Sequence, residues 1–105
     1  MIKPLESANR AQLISKIPNW RVINDRDALF RSFHFNDFEQ AIQFMVQCSS
    51  IAVGMNHHPE WLNIWNKVDV TLTTHSANAI THLDVSMALQ MDQVFLLYRD
   101  GLEDI

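Results

Sequence analysis

The sequence predicts an α+β fold of order α-β-β-α-β-β-α, a four-stranded antiparallel sheet with helices packed on one face. Three observations carry this. Apolar residues alternate with polar ones at Leu62 and Ile64, then at Val68, Val70 and Leu72, the period of strands. Phe38, Ala41, Ile42, Met45, Val46, Ser49 and Ala52 recur at helical spacing. Turn-forming residues, Asn24-Asp25-Arg26-Asp27 and Asn66-Lys67, divide the extended stretches into two hairpins. The 105 residues suit one compact domain over 1–105, and a hydrophobic content of 48% is enough for a core.

The first element is a short helix from about Ser7 to Ile17, stopped by Pro18. Trp20-Arg21-Val22-Ile23 reads as a short strand, and Ala28 to Phe35 as its hairpin partner. On the second strand Leu29, Phe33 and Phe35 share one face, and Ser32 and His34 the other. Asn36 caps the next helix with Glu39 three residues on, a capping box. Gly54 ends it, as a residue free to take the left-handed conformation. Cys48 sits beside the apolar stripe and reads as a passenger.

The second hairpin turns at Asn66-Lys67, because asparagine tolerates positive φ. Trp65 then faces Val68, and the same register carried outward sets His58 opposite His75. Directly opposed side chains lie about 4.5–5.5 Å apart at Cβ. Pro59 cannot donate to a central ladder, so pairing frays there. Thr81-x-x-Asp84 is a second capping box and opens the last helix, whose stripe is Met87, Ala88, Met91, Val94 and Phe95. The charged end from Arg99 to Ile105 is expected to fray.

Composition excludes several function classes. A net charge of −4 argues against an electrostatically driven nucleic-acid binder. No apolar run is long enough to span a bilayer, and the first residues lack the apolar core of a signal peptide. A single cysteine forms no internal disulfide, which points to a reducing cytoplasm. With only 2 glycines, far apart at Gly54 and Gly101, no phosphate loop or dinucleotide fingerprint can form.

Three of the five histidines, His57, His58 and His75, fall at the open end of the second hairpin. Zinc is one reading. Adjacent His57 and His58 point to opposite faces when extended, and no Cys-x-x-Cys or His-Glu-x-x-His motif accompanies them. General acid–base chemistry is the other and suits the cluster better, since imidazole titrates near pH 6.5.

These residues resemble a known family, the pterin-4a-carbinolamine dehydratases, also called 4a-hydroxytetrahydrobiopterin dehydratases. The resemblance rests on His57-His58-Pro59, then Trp65 after five residues, His75 after nine more and Asp84 after eight more. Phe33-His34-Phe35, Asp37-Phe38, Glu60-Trp61 and Asn66-Lys67-Val68 extend it over nearly the whole chain. One position departs: four residues before His57 the family usually has an ionisable residue, and here it is Val53. Asn56 stands where aspartate is common.

The resemblance implies a cofactor-free, metal-free lyase that removes water from a 4a-hydroxytetrahydropterin. It implies His58 and His75 as the acid–base pair and His57 as a group that helps hold the pterin. Asn56 and the backbone around Thr73, Thr74, His75 and Ser76 would bind substrate. Pro59, Trp65 and Asp84 would support the site. Asp84 orients a histidine, caps its helix, or does both, and Trp65 either walls the pocket or packs in the core. The family forms homodimers and homotetramers and works beside aromatic amino acid hydroxylases. A second function class stays open, a non-catalytic dimerisation module on the same fold, as the family's animal member also assists a homeodomain transcription factor.

Overall fold

The computed structural model describes the backbone of residues 2–104 and the side chains of residues 2–98. The elements follow the predicted order: α1 (Ser7–Ile14), β1 (Arg21–Val22), β2 (Leu29–His34), α2 (Phe38–Met55), β3 (Glu60–Ile64), β4 (Lys67–Leu72) and α3 (His82–Asp104). One antiparallel sheet runs β1-β2-β4-β3, so the two hairpins meet where β2 pairs with β4. The side chains of the terminal stretch that the sequence expects to fray, from Arg99, lie outside the described residues.

The core follows from strand alternation. Val68, Val70 and Leu72 of β4 are buried, while Lys67, Asp69 and Thr71 between them are not. Leu29 and Phe33 of β2 join them, and Phe44 and Cys48 of α2 with Met87 and Met91 of α3 close the same cluster. Phe33 is central: its ring centroid lies 4.7 Å from Phe44 and 5.1 Å from Phe95. Full burial of a side chain this size stabilises by about 1.5–3 kcal/mol. Among the described residues no helix is long and apolar enough to cross a membrane.

Several local expectations are corrected. Helix α1 ends at Ile14, not Ile17. Pro18 disfavours helical backbone at Ile17, so the chain tightens, with Ile17 N–H donating to Ile14 O at 3.0 Å, and the Ile17 side chain drops into the core. Strand β1 is two residues long, because Trp20 turns inward to donate from Nε1 to Asp92 Oδ1 at 2.8 Å. Asp37, not Asn36, caps α2: its extended backbone lets Oδ1 accept from Gln40 N–H at 2.9 Å. Gly54 stays helical, and α2 closes at Asn56, which takes φ 50°.

The second hairpin is shifted by two residues. Ile64 faces Lys67 and Glu60 faces Thr71, so the turn is Trp65-Asn66 and the left-handed residue is Trp65, with φ 49°. The cause is β2. Phe35 N–H donates to Asn66 O at 2.9 Å, and Asn66 Nδ2 donates back to Phe35 O at 2.9 Å. Asn66 is thereby held directly before β4 as the second turn residue and cannot be the first. Carried outward, this register points His58 toward Thr73, and the expected His58–His75 facing pair is not formed.

Candidate active site

The site begins where α2 stops. Asparagine enters the left-handed region more readily than most residues. With Asn56 there, its N–H turns back to Val53 O and His57 N–H donates to Ala52 O at 3.1 Å. The reversal sends the His57 ring inward and leaves His58 outside: His57 is buried, His58 exposed.

The buried imidazole meets Asp84. His57 Nε2 lies 2.6 Å from Asp84 Oδ1. Asp84 stands in the first turn of α3 and is fully buried, where the helix N-terminus favours a carboxylate. Its Oδ2 accepts from Thr81 N–H at 2.9 Å and from Thr74 Oγ1 at 2.8 Å. Thr81 Oγ1 accepts from Leu83 N–H at 3.2 Å and lies 2.7 Å from Thr74 Oγ1. Asp84 therefore caps its helix and orients His57 at once. Among the described residues no buried side-chain nitrogen or oxygen lacks a partner, so the network is stable rather than strained.

Thr74 and His75 are consecutive and diverge. Thr74 reaches inward to Asp84, while His75 is exposed and places Nε2 2.8 Å from Glu60 Oε2. Glu60 opens β3 and is held by Arg26 through two contacts of 2.8 Å each. Arg26 first, then His75, lowers the Glu60 carboxyl from 4.5 to about 2. Hydrogen bonding and opposite charge both favour the ionised form.

The Thr74–Ala79 bridge closes a turn around His75 and Ser76, with Asn78 at φ 50°. The β1–β2 loop holds its base. Thr73 Oγ1 donates to Asp27 O at 2.9 Å, and Ile80 N–H donates to Asp27 Oδ2 at 3.0 Å. Arg10 of α1 pairs with Asp27 at 2.6 Å and, with the Ile80 N–H, holds that carboxyl below its usual range. The Thr73 and Thr74 hydroxyls are thus committed inside the protein.

The sequence-derived residues separate into groups. His57, Thr74 and Asp84 join one buried network; His75 joins Glu60; Asn56 precedes His57 in the chain, and His58 and Pro59 lie between His57 and Glu60. Ser76 is exposed on the same turn as His75. Trp65 lies apart, at the hairpin tip and 65% exposed. It is five residues beyond Glu60, about 16 Å at the rise of a strand. Val53 is exposed on the last turn of α2.

Sequence reasoning gave Glu60, Arg26 and Thr81 no part in the site. Glu60 stands two residues after His58 in the chain, but its place against His75 is set by the tertiary structure. A cavity of about 330 Å³ on the other sheet face is lined by Phe30, Glu60, Trp61, Leu62, Asp69 and Thr71, and no imidazole lines it. Burial pushes the Cys48 thiol up to about 12, which keeps it protonated and unreactive. Among the described residues no group of three or more His, Cys, Asp or Glu side chains is arranged to hold a metal.

The family model for pterin 4 alpha carbinolamine dehydratase matches residues 3–94. A Burkholderia multivorans protein, provisionally named pterin-4-alpha-carbinolamine dehydratase, is 44% identical over 94 residues, covering 90% of this chain and 92% of that one. A Rhizorhabdus wittichii protein of the same provisional name is 46% identical over 87 residues, covering 83% and 90%. The crystal structure of a transcriptional coactivator/pterin dehydratase from Brucella melitensis superposes with a TM-score of 0.83 at 41% identity, over 87% of this chain and 97% of that one. A pterin dehydratase-like RuBisCO assembly factor of the alpha-carboxysome shares the fold, with a TM-score of 0.63 at 20% identity over 73% and 89%.

Proposed function

The chain belongs to the pterin 4 alpha carbinolamine dehydratase family, and on that premise we propose that it dehydrates a 4a-hydroxytetrahydropterin to the quinonoid dihydropterin and water. It is a hydro-lyase, and the pterin is its substrate rather than a cofactor. The observation that carries the reading is the buried His57–Asp84 pair at 2.6 Å. It stands one residue from exposed His58 and, through Thr74, one residue from exposed His75.

Dehydration needs two proton movements. The ring N–H next to the 4a carbon loses its proton, and its electron pair forms the new C=N bond. The 4a C–O bond breaks as the hydroxyl takes a proton and leaves as water. Imidazoles serve both steps near neutral pH. In this reading His58 and His75, the exposed rings of the three-histidine cluster, exchange the protons. His57, clamped by Asp84, helps hold the pterin. The Thr73 and Thr74 hydroxyls are already engaged, so the substrate's amide edge meets the backbone of residues 73–76, Asn56 and Ser76.

The wider setting follows from the same reading. An aromatic amino acid hydroxylase is the class of enzyme that supplies a 4a-hydroxylated pterin, and the cytoplasm is the compartment. The chain works as one domain and assembles as a homodimer or homotetramer. Strand β3 lies at the sheet edge, and Leu62 and Ile64 on it are more than half exposed, a surface that natural sheets seldom leave open.

Steady-state kinetics test the assignment. His58→Ala and His75→Ala should each lower turnover by about 10²–10⁴-fold after subtraction of the uncatalysed rate. Their losses should not add in the double variant, because groups acting as one unit fail together. His57→Ala should mainly raise KM. Near wild-type turnover in both single variants, each verified as folded, would leave the non-catalytic dimerisation module as the better account.

A further inference from the structure

We propose that Arg26 and Glu60 are positioning residues for His75, fixing its ring so that Nδ1 is the atom that exchanges a proton with substrate. This rests on the reading of His75 as an acid–base group.

Three separate segments converge to build the arrangement. Arg26 comes from the β1–β2 loop, Glu60 from the first position of β3, and His75 from the turn after β4. Both terminal guanidinium nitrogens, Nη1 and Nη2, reach Glu60, one to each carboxylate oxygen, at 2.8 Å each. A fork-to-fork contact of this kind holds the carboxylate plane against rotation. Glu60 Oε2 then has a fixed direction left for a second donor, and His75 Nε2 fills it at 2.8 Å.

The hydrogen-bond roles follow from charge. A guanidinium is always protonated, so Glu60 beside it stays ionised and can only accept. The lowered Glu60 carboxyl agrees with this. His75 must therefore donate through Nε2. Its Nδ1 is left as the lone-pair nitrogen of the neutral ring or the second N–H of the protonated one. The buried site repeats the pattern, since His57 also meets its carboxylate through Nε2. Both rings present Nδ1.

An ordinary surface salt bridge is the competing account. The Arg26 and Glu60 side chains are 42% and 39% exposed, and ion pairs of that exposure add little stability. That weakness makes the two accounts separable, because removing the pair should disturb turnover far more than folding.

The experiment measures kcat, KM and thermal stability for Glu60→Gln, Arg26→Ala, Arg26→Lys, His75→Ala and the charge swap R26E/E60R. Partners that orient metal-bound imidazoles typically contribute 10–100-fold to function, and about the same loss in kcat is expected for Glu60→Gln and Arg26→Ala. KM should stay within about twofold, the signature of an interaction that matters to the chemical step rather than to binding. Arg26→Lys keeps one charge-assisted contact and should recover part of the loss. The swap variant decides the matter. It rebuilds an ion pair and should fold normally, but it sets a guanidinium against His75 and should remain slow. Recovery of kcat in the swap, or wild-type kcat in Glu60→Gln beside an impaired His75→Ala, would overturn the proposal alone. An unimpaired His75→Ala would remove the proposal and the acid–base reading of His75 together.

Discussion

His57 and Asp84, 27 residues apart in the chain, meet at 2.6 Å in the protein interior. One joins the end of a helix to a strand and the other starts the last helix, so their contact ties α2 to α3 behind the site. As a carboxylate Asp84 only accepts, and His57 donates to it through Nε2.

Replacing Asp84 should therefore change a proton position as well as stability. Asp84→Asn keeps the volume, and its oxygen can still serve Thr81 N–H and Thr74. Its NH2 group then faces His57, which must accept through Nε2 and carry its proton on Nδ1. Nitrogen NMR of the ring should show that tautomer in the variant and the Nε2–H form in the parent. The stability loss should be about 1–3 kcal/mol, the range for disturbing a buried hydrogen-bonded group. An unchanged tautomer would refute the donor assignment.

Asn56 has a backbone role and a proposed substrate role, and two variants part them. Asn56→Ala loses asparagine's tolerance of the left-handed conformation and should cost up to about 1 kcal/mol. Asn56→Gly should fold at least as well as the parent, since glycine adopts φ 50° freely. A raised KM in Asn56→Gly, with stability intact, is expected from loss of a side-chain contact to pterin. An unchanged KM would confine Asn56 to closing the helix.

Glu60 makes stability depend on acid. Its carboxyl is depressed in the folded protein, from 4.5 to about 2, so the pairing contributes in full above about pH 4.5. It is lost as pH falls through about 2, where the folded form takes up the proton. Urea titrations of the parent and Glu60→Gln should differ above about pH 4.5 only by the small amount that an ion pair this exposed supplies, and converge toward about pH 2. A difference that grew on acidification would have the wrong sign for this linkage.

Val53 stands four residues before His57, where the resemblance read from the sequence implies an ionisable group. It is 75% exposed, so Val53→Glu should fold. A hydrogen bond to a charged group contributes about 1.5–3 kcal/mol, which bounds the expected improvement in KM. A worse or unchanged KM in the folded variant would mean that another group already makes the contact.

Metal dependence gives a further test. The proposed chemistry runs on imidazoles, so turnover should survive exhaustive chelation without change. Loss of turnover on chelation, restored by added zinc, would overturn the mechanism.

Much of this protein was legible along the chain. Helical period in α3, alternation in β4, and the Thr81–Asp84 capping box all depend on residues a few positions apart, so element order and those core faces could be read directly. The face of α2 could not: Phe38 and Val46 of its expected apolar stripe are exposed, while Phe44 and Cys48, off that stripe, are buried in the core. The spacing of His57, His58, His75 and Asp84 is also a property of the chain alone. Only the tertiary structure decided the hairpin register. Local propensity favoured Asn66 as the left-handed turn residue, but its paired hydrogen bonds to Phe35 moved the turn to Trp65-Asn66. A slip of two residues leaves every side chain on its own face, so hydrophobic alternation could not detect the error. That slip decided which group His75 meets. It finds the carboxylate of Glu60 rather than a second imidazole, because strand pairing across the sheet outweighs the preference of a two-residue turn.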